Sequence, residues 1–440
     1  MYQKLTEYFK DRSVLILGFG KEGQSTYNFI RRYYPDKKLA IADKRELKID
    51  DTNVTLITGD SYLDHLNDFD MVMQSPGISL RSVKICKKTE ITGQMDLFLR
   101  FAECTKIGIT GTKGKTTTTT LIYNIVKASG RKCALIGNIG VPVFESLDDC
   151  EDLTAVIEMS CHQLEFAKAS PQIAVMTNIY PEHLDHYNGF EGYANAKLNI
   201  FKNQTENDSF VFNSDQDELK NLINFDEVKS KLLPVSRFEE DTNDFYKYLT
   251  TLNENLKGHH THQDIFFAVN VARCLGIDDK AIEEGIRSFS PIAHRMEKVG
   301  TWNDVTFYND SIATIPHAVM CAVSALEKVD SLIFGGLDRG IDYTDFVKDL
   351  NECKVSNLIG LPETGEKIIN ELKKIGCTKN LVIVDTMDEA VEAAYKYTEK
   401  GKICLFSPAA SSYNRYKNFE EKGNHFKILA KEFGEKRGNN

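Results

Sequence analysis

Short apolar runs alternate with longer amphipathic stretches along most of the chain, and that rhythm predicts strands separated by helices. The run "SVLIL" at 13–17 stops at "GFGKEG", and the following "QSTYNFIRRYY" carries apolar residues at helical spacing, which reads as strand, glycine turn, helix. "KLAIAD" and "DMVMQSPG" follow as strands at intervals suited to a parallel sheet with crossover helices. From Lys106 the pattern restarts: "KIGIT" as strand, a glycine-rich loop, then a helix through "LIYNIVKASG" closed by Gly130. Further strands are predicted at "CALIG", "LTAVIE", "QIAVMTN" and "DSFVFN". Residues 214–262 read as polar and irregular before the helix "DIFFAVNVARCLG". The last third repeats the alternation with "VTFYND", "SLIFGG", "NLIGL", "LVIVD" and "KICLFSPAA".

Length supports that three-part reading, since 440 residues are enough for about three domains. With 42% apolar and 27% charged residues the composition is that of a globular protein, and a net charge of -10 argues against a nucleic-acid partner. Ten cysteines are scattered singly with no C-x-x-C pair, so they read as reduced thiols. The start, "MYQKLTEYFKDRS", has no apolar signal core, and no run approaches the roughly 18 apolar residues of a membrane span. A cytoplasmic protein with no membrane partner is expected.

The stretch "GITGTKGKTTTTT" at 108–120 carries the first clear chemistry. It departs from G-x-x-x-x-G-K-[ST] because Ile109 stands where the first glycine belongs. Gly111 and Gly114 still let the backbone fold around an anion, and the helix beginning near Lys115 adds its positive end. Lys115 is placed to reach terminal phosphates and Thr116 to take Mg2+. "LTAVIEMS" delivers Glu158 from the end of a neighbouring strand, where a metal-holding carboxylate is needed. "TNIYPEHLDHYNGFEGYANAKLNIF" at 177–201 then concentrates Glu182, His183, Asp185, His186 and Lys197. Only two histidines with no cysteine nearby argue against structural zinc and favour an oxygen-rich Mg2+ site with one imidazole.

In this order the residues resemble the Mur ligase family, the ATP-dependent amide-bond formers of bacterial cell-wall precursor synthesis. The resemblance rests on "TGTKGKTT", with Lys113 where asparagine is usual, and on "SPGIS", "GNIG", "EMSCHQLE", "NIYPEHLDHY", "AHRME", "NDSIAT", "GGLDRGIDY" and "SPAASSYNRYKNFEEKG", which span almost the whole chain. It implies an α/β fold of three domains: a Rossmann-like UDP-sugar-binding domain at 1–93, a central P-loop-type ATPase domain with a mainly parallel sheet at 94–291, and a Rossmann-like amino-acid-binding domain at 292–440. The late motif and the dinucleotide-like first domain most resemble the members that add D-glutamate to UDP-N-acetylmuramoyl-L-alanine through an acyl phosphate. A monomer is expected.

Residue by residue, the resemblance gives ATP to Gly111, Thr112, Lys113, Gly114, Lys115, Thr116 and Thr117, with Arg295 and Asp310 facing the nucleotide from the third domain. Two Mg2+ ions fall to Thr116 with Glu158 and to His183 with Lys197, the lysine being carbamylated into an anionic ligand. Lys115, His183 and Lys197 are the expected catalytic residues, and His183 is also a candidate base for the glutamate ammonium. The UDP-sugar acceptor is implied at Gly20, Lys21, Glu22, Asp43, Lys44, Arg45, Ser75 and Gly77, with Asn138 near the activated carboxylate. Thr314, Arg339, Ser412 and Phe419 fall where glutamate is bound.

Two departures bear on specificity. Ile312 stands where D-glutamate-adding members often carry lysine, and Thr261 and Asp264 replace the asparagines of G-x-H-N-x-x-N. A ligase of the same family that adds L-glutamate is therefore one alternative. From another class, "GFGKEG" with Asp43 twenty residues beyond Gly23 satisfies the dinucleotide fingerprint of an NAD-dependent oxidoreductase. An ATP-driven switch would explain Lys115 and Glu158 but leave the His183 to Lys197 cluster without a task.

Overall fold

The computed structural model describes residues 2–139, 142–145, 152–187, 189–256, 259–290, 293–314, 316–326, 328–338, 342–412 and 415–438. They fall into two compact units, Met1–Ser290 and Pro291–Asn440. The first unit holds two sheets and the second holds one.

The first sheet is built from β1 (Val14–Leu17), β2 (Leu39–Asp43), β3 (Val54–Thr58), β4 (Met71–Gln74) and β5 (Glu90–Thr92) in the order β3-β2-β1-β4-β5, all parallel. The strand order reverses between β1 and β4, and the crevice beyond the carboxyl ends of those strands is where such sheets take ligands. Helix Lys21–Tyr33 leaves β1 through Gly18 to Gly20 and so begins at that crevice.

The second sheet contains β6 (Thr105–Thr110), β7 (Cys133–Gly137), β8 (Thr154–Glu158), β9 (Ile173–Met176), β10 (Ser209–Asn213) and β11 (Lys231–Val235), ordered β11-β10-β9-β6-β8-β7 and again wholly parallel. Both neighbours of β6, namely β8 and β9, end beside the loop that leaves it. A buried cluster of Ile107, Ile109, Leu121, Ile125, Val156 and Phe266 cements this sheet to helices Lys115–Ala128 and His259–Cys274. A second cluster is shared by the two sheets, running from Leu5 and Phe29 to Phe144, Met159 and Tyr193. The rings of Phe29 and Phe144 lie 4.8 Å apart within it. Gly93 stands between β5 and helix Gln94–Phe101, at the passage from one sheet to the other.

The third sheet, in the second unit, is ordered β12-β13-β17-β14-β15-β16, from β12 (Glu297–Trp302), β13 (Val305–Asn309), β14 (Val329–Phe334), β15 (Asn357–Gly360), β16 (Asn380–Ile383) and β17 (Ile403–Phe406). Only β12 runs antiparallel to its neighbour.

Two corrections follow. Residues 214–262 are not irregular, since they carry β11 and helices Asp217–Leu222 and Asp244–Leu249. Strands β3, β5 and β12 also went unpredicted. All four omitted strands are sheet edges, which need not be apolar on both faces.

Candidate active site

The loop after β6 owes its shape to two glycines. Gly111 has φ +152°, and a Cβ there would lie 1.9 Å from Thr177 Oγ1. At Gly114 φ is +81°, and a Cβ would sit 2.7 Å from Asp264 Oδ1. A side chain at either position meets both strain and a neighbour. The loop is pinned from β9: Thr112 N donates to Asn178 O at 3.0 Å, and Lys113 N to Asn178 Oδ1 at 2.9 Å. Thr177 Oγ1 in turn donates to Lys113 O at 2.7 Å.

Five consecutive threonines are poor helix material, yet they open the helix at Lys115. Their hydroxyls are absorbed locally, Thr119 donating to Lys115 O at 2.7 Å and Thr120 to Thr116 O at 2.8 Å. Thr118 donates to Asp264 Oδ1 at 2.8 Å. Burial pushes the Asp264 carboxyl up to about 8 against that single opposing bond. Thr117 is half-buried in the same first turn.

Glu158 closes β8 with no exposure to solvent. Thr116 Oγ1 donates to its Oε2 at 2.7 Å and Asn138 Nδ2 to its Oε1 at 2.6 Å. Two neutral donors thus hold one buried carboxylate beside the phosphate loop. Lys115 Nζ donates to Gly111 O and Thr112 O, both at 2.9 Å.

Lys197 lies on helix Phe190–Lys202 and is 1% exposed, so it is no solvated surface lysine. Its Nζ donates to Gly111 O at 2.8 Å, the carbonyl that Lys115 also uses. Burial first, and then the Lys115 charge, pull its ammonium down to about 7. One turn earlier on the same helix, Tyr193 bonds Thr112 Oγ1 at 2.8 Å and lies 5.0 Å beneath the Lys197 ammonium. The His183 ring stands 6.3 Å from that of Tyr193, with a backbone φ of +53°. Among the described residues no group of three or more His, Cys, Asp or Glu side chains is spaced to hold a metal. That leaves open a site completed by Thr116, a lysine carbamate or phosphate oxygens, because Mg2+ often takes only one or two protein carboxylates.

At the first sheet's crevice, Asp43 accepts from Phe19 N at 2.8 Å and from Arg45 Nε and Nη2 at 2.9 and 2.8 Å. Burial opposes ionisation of this carboxyl, but the Arg45 bonds and the two amides outweigh it and hold it at about 2. Gly20, Lys21, Lys44 and Gly77 are exposed around the same edge, and Ser75 Oγ donates to Gly18 O at 2.9 Å. Glu22 instead faces the second sheet's segment, accepting from Gln163 Nε2 at 2.9 Å. Burial raises its carboxyl, partly offset by that bond. This placement gives Glu22 a role in joining the two sheets that the sequence did not suggest.

In the second unit Asp310 is buried and accepts from Ser407 Oγ at 2.7 Å and Met296 N at 3.1 Å. Burial lifts it to about 6, against those bonds and the charge of exposed Arg295. Thr314 is exposed ahead of helix Pro316–Ala325. Ser412 is 2% exposed and its Oγ has no hydrogen-bond partner. Phe419 opens helix Phe419–Gly438, edge-on to His294 at 5.9 Å. Arg339 lies outside the described residues, as do Gly140 of "GNIG" and Lys257 and Gly258 of "KGHHTHQD".

Tyr193, Thr177, Asn178 and Lys422 were not singled out from the sequence. Tyr193 carried a usable signal, four residues before Lys197 on a helix. Lys422 carried none; burial pulls it down to about 7, and its Nζ donates to Gly335 O at 2.7 Å.

A lysine-bearing phosphate loop opening a helix, with a buried carboxylate on the adjacent strand, defines a nucleoside-triphosphate-using α/β enzyme. Residues 109–274 match the family model described as Mur ligase middle domain, and residues 294–410 the one described as Mur ligase, glutamate ligase domain. A protein of Caldanaerobacter subterraneus subsp. tengcongensis named UDP-N-acetylmuramoylalanine--D-glutamate ligase is 35% identical over 443 residues, covering 95% of this chain and 98% of that protein. Its namesake from Clostridium botulinum (strain Langeland) is 32% identical over 457 residues, covering 97% and 98%. The chain belongs to the Mur ligase family, the ATP-dependent, ADP-forming amide ligases of peptidoglycan precursor synthesis. Solved MurF ligase from Thermotoga maritima in complex with ADP is similar at TM-score 0.50 and 17% identity, covering 97% of both chains. UDP-N-acetylmuramate-alanine ligase MurC from the same organism matches at TM-score 0.50 and 17%, covering 96% of this chain and 100% of that one, and both likenesses bear on the fold alone.

Proposed function

We propose that this enzyme joins D-glutamate to the alanyl carboxylate of UDP-N-acetylmuramoyl-L-alanine in the cytoplasm, acting as a monomer with no nucleic-acid or membrane partner. The observation that carries the choice of a ligase over a switch is Lys197, buried against the phosphate loop where ATP hydrolysis alone gives it no task. The names of relatives similar over nearly the full length support D-glutamate and this acceptor. Among the described residues no helix is long and apolar enough to cross a membrane.

The domain roles follow: 1–93 takes the UDP-sugar, 94–291 ATP and 292–440 glutamate. Asp43, Lys44 and Arg45 hold uridine or diphosphate, together with Gly20, Lys21, Ser75 and Gly77. Asn138 orients the acceptor carboxylate. Thr314, Arg339, Ser412 and Phe419 take glutamate, and the unpartnered, buried Ser412 hydroxyl is the kind of group a ligand carboxylate satisfies.

The residues present fit Mg2+. A fully buried Glu158 that meets only neutral donors, one of them the Thr116 hydroxyl, is an oxygen pair suited to a hard cation. His183 and Lys197 flank Tyr193 and would hold a second ion once Lys197 carries a carbamate. An amine held at about 7 is largely uncharged above neutrality, the form in which its nitrogen adds to CO2 with loss of a proton. Bound Mg2+ supplies charge neutralisation at the transferring phosphoryl group.

An acceptor carboxylate oxygen attacks the terminal phosphorus, its bond to the bridging oxygen breaks, and ADP leaves. The uncharged glutamate amine then attacks the acyl carbon, the nitrogen gives up a proton to a base for which His183 is the candidate, the carbon–oxygen bond breaks, and phosphate departs. Lys115 and the loop amides hold the phosphate oxygens throughout. Arg295 and Asp310 are assigned to the nucleotide. ADP formation with the acceptor and D-glutamate, L-glutamate or no amino acid tests the reading. Turnover with D-glutamate alone is expected; equal turnover without any amino acid would refute it, and preference for L-glutamate would change the product.

A further inference from the structure

Helix Phe190–Lys202 presents two faces to different chemistry. Tyr193 and Lys197 meet the phosphate loop, whereas Gly192, Asn195, Ala196, Asn199 and Lys202 line a cavity of about 490 Å³ on the reverse face. Those five positions recur at the spacing of a single helical face. The opposite wall comes from Leu80 to Ile85, beyond β4, and from Phe166, His186 and Tyr187. None of these residues has a place in the nucleotide, acceptor or glutamate sites above.

The lining combines an apolar slot with fixed polar groups, the usual make-up of a small-molecule site, and its volume falls in the usual range of such sites. Leu80, Val83, Ile85 and Phe166 supply the slot, and Arg81 and Lys202 put cations at its exposed rim. Its one carboxylate, Glu165, already faces His186 Nε2 at 2.9 Å. Tyr187 lines the cavity with its ring, 8% exposed, while its hydroxyl is buried beside Cys161.

We propose that this cavity is a second ligand site, taking a small organic anion with a flat apolar body, and that its occupant acts on the catalytic loop. The body fills the slot, and the anionic group meets Arg81 and Lys202 at the rim. His186 touches His162 at 4.5 Å between ring centres, and His162 touches His183 at 4.9 Å. Anything that shifts the 186–187 segment or the reverse face of the helix therefore bears on His183 and Lys197.

Calorimetric titration of the full chain with naphthalene-2-sulfonate, and with uncharged naphthalene-2-methanol, tests the site without needing turnover. One saturable sulfonate site per chain is expected, with the alcohol weaker by about tenfold for want of a charge-assisted hydrogen bond. Val83→Trp fills the slot and is expected to abolish binding; Lys202→Glu reverses a rim charge and is expected to weaken sulfonate binding at least about tenfold while leaving the alcohol unchanged. Equal affinities for sulfonate and alcohol, or sulfonate binding untouched by Lys202→Glu, would overturn the proposal. So would displacement of the sulfonate by ATP or the UDP-sugar in direct competition. Saturating sulfonate is expected to change kcat of wild type but not of Val83→Trp; an unchanged wild-type kcat would overturn the coupling.

Discussion

The turns after β1 and β6 start from one design, a buried parallel strand passing through glycines into a helix, and they end in opposite electrostatics. At the first, Asp43 is gripped by Arg45 and two amides and held at about 2, a permanent anion with its own counter-ion. At the second, Glu158 meets only Thr116 and Asn138, while two lysines crowd Gly111 O. A carboxylate neutralised within the protein is an acceptor for ligand hydroxyls and N–H groups. Two lysines held against a single carbonyl, beside a buried carboxylate that is hydrogen-bonded by neutral groups, suit phosphate and metal on the proposed reading. On the proposed reading, the same backbone motif is a handle in one place and a reaction centre in the other.

Substitution sharpens that contrast most where charge transfer is at stake. Lys115→Ala is expected to lower kcat by about a thousandfold, and Lys197→Ala by a similar factor, because both act on charge that develops in the transition state. Steady-state ADP release checks this. Glu158→Gln keeps the shape and can still accept from Asn138, its amide nitrogen now donating to the Thr116 hydroxyl, while removing the anion, with an expected loss of about a hundredfold in kcat. Asp43→Ala is expected to raise KM for the UDP-sugar about tenfold with kcat little changed, the signature of binding that is equal in ground and transition states. An Asp43 variant that lost kcat instead would break the comparison.

The smallest effect concerns stability. Asp264 must bind a proton to stay buried: its folded value is about 8 against an ordinary 3.8, so the stability it supports is fully present only below 3.8 and is lost as pH rises through 8. Asp264→Asn can keep the acceptor for Thr118 without that proton. Its gain in melting temperature over wild type is expected to be near zero at pH 4, to grow towards pH 8 and to level off above. A gain independent of pH would assign Asp264 another role.

The interior of each sheet was legible because strands buried on both faces, such as "VLIL" and "TAVIE", read as unbroken apolar runs. "VTLIT" is only part-buried, "EIT" is three residues long, "KLLPV" holds a proline on a largely exposed edge, and "EKVGTW" pairs antiparallel with a register shift and no fully buried residue. Periodicity is weak in each for the same reason: an edge strand has less to bury. The phosphate loop and Glu158 were legible because their chemistry needs fixed residue types at fixed places after strands, whereas the role expected of Lys197 came only from the family resemblance. Thr177 and Asn178 act through tertiary contact from the end of β9, and Asp264, visible only as a departure from a motif, reaches Thr118 from another helix; spacing along the chain does not announce such partners. The pairing of Glu22 with Gln163 was hidden likewise, since 141 residues separate them.

The most direct test of the central claim follows an oxygen atom. With heavy oxygen in the alanyl carboxylate of UDP-N-acetylmuramoyl-L-alanine, and with ATP and D-glutamate, mass spectrometry of the released phosphate should find one labelled oxygen per turnover, passed on through the acyl phosphate. Unlabelled phosphate released in step with amide formation would contradict the account.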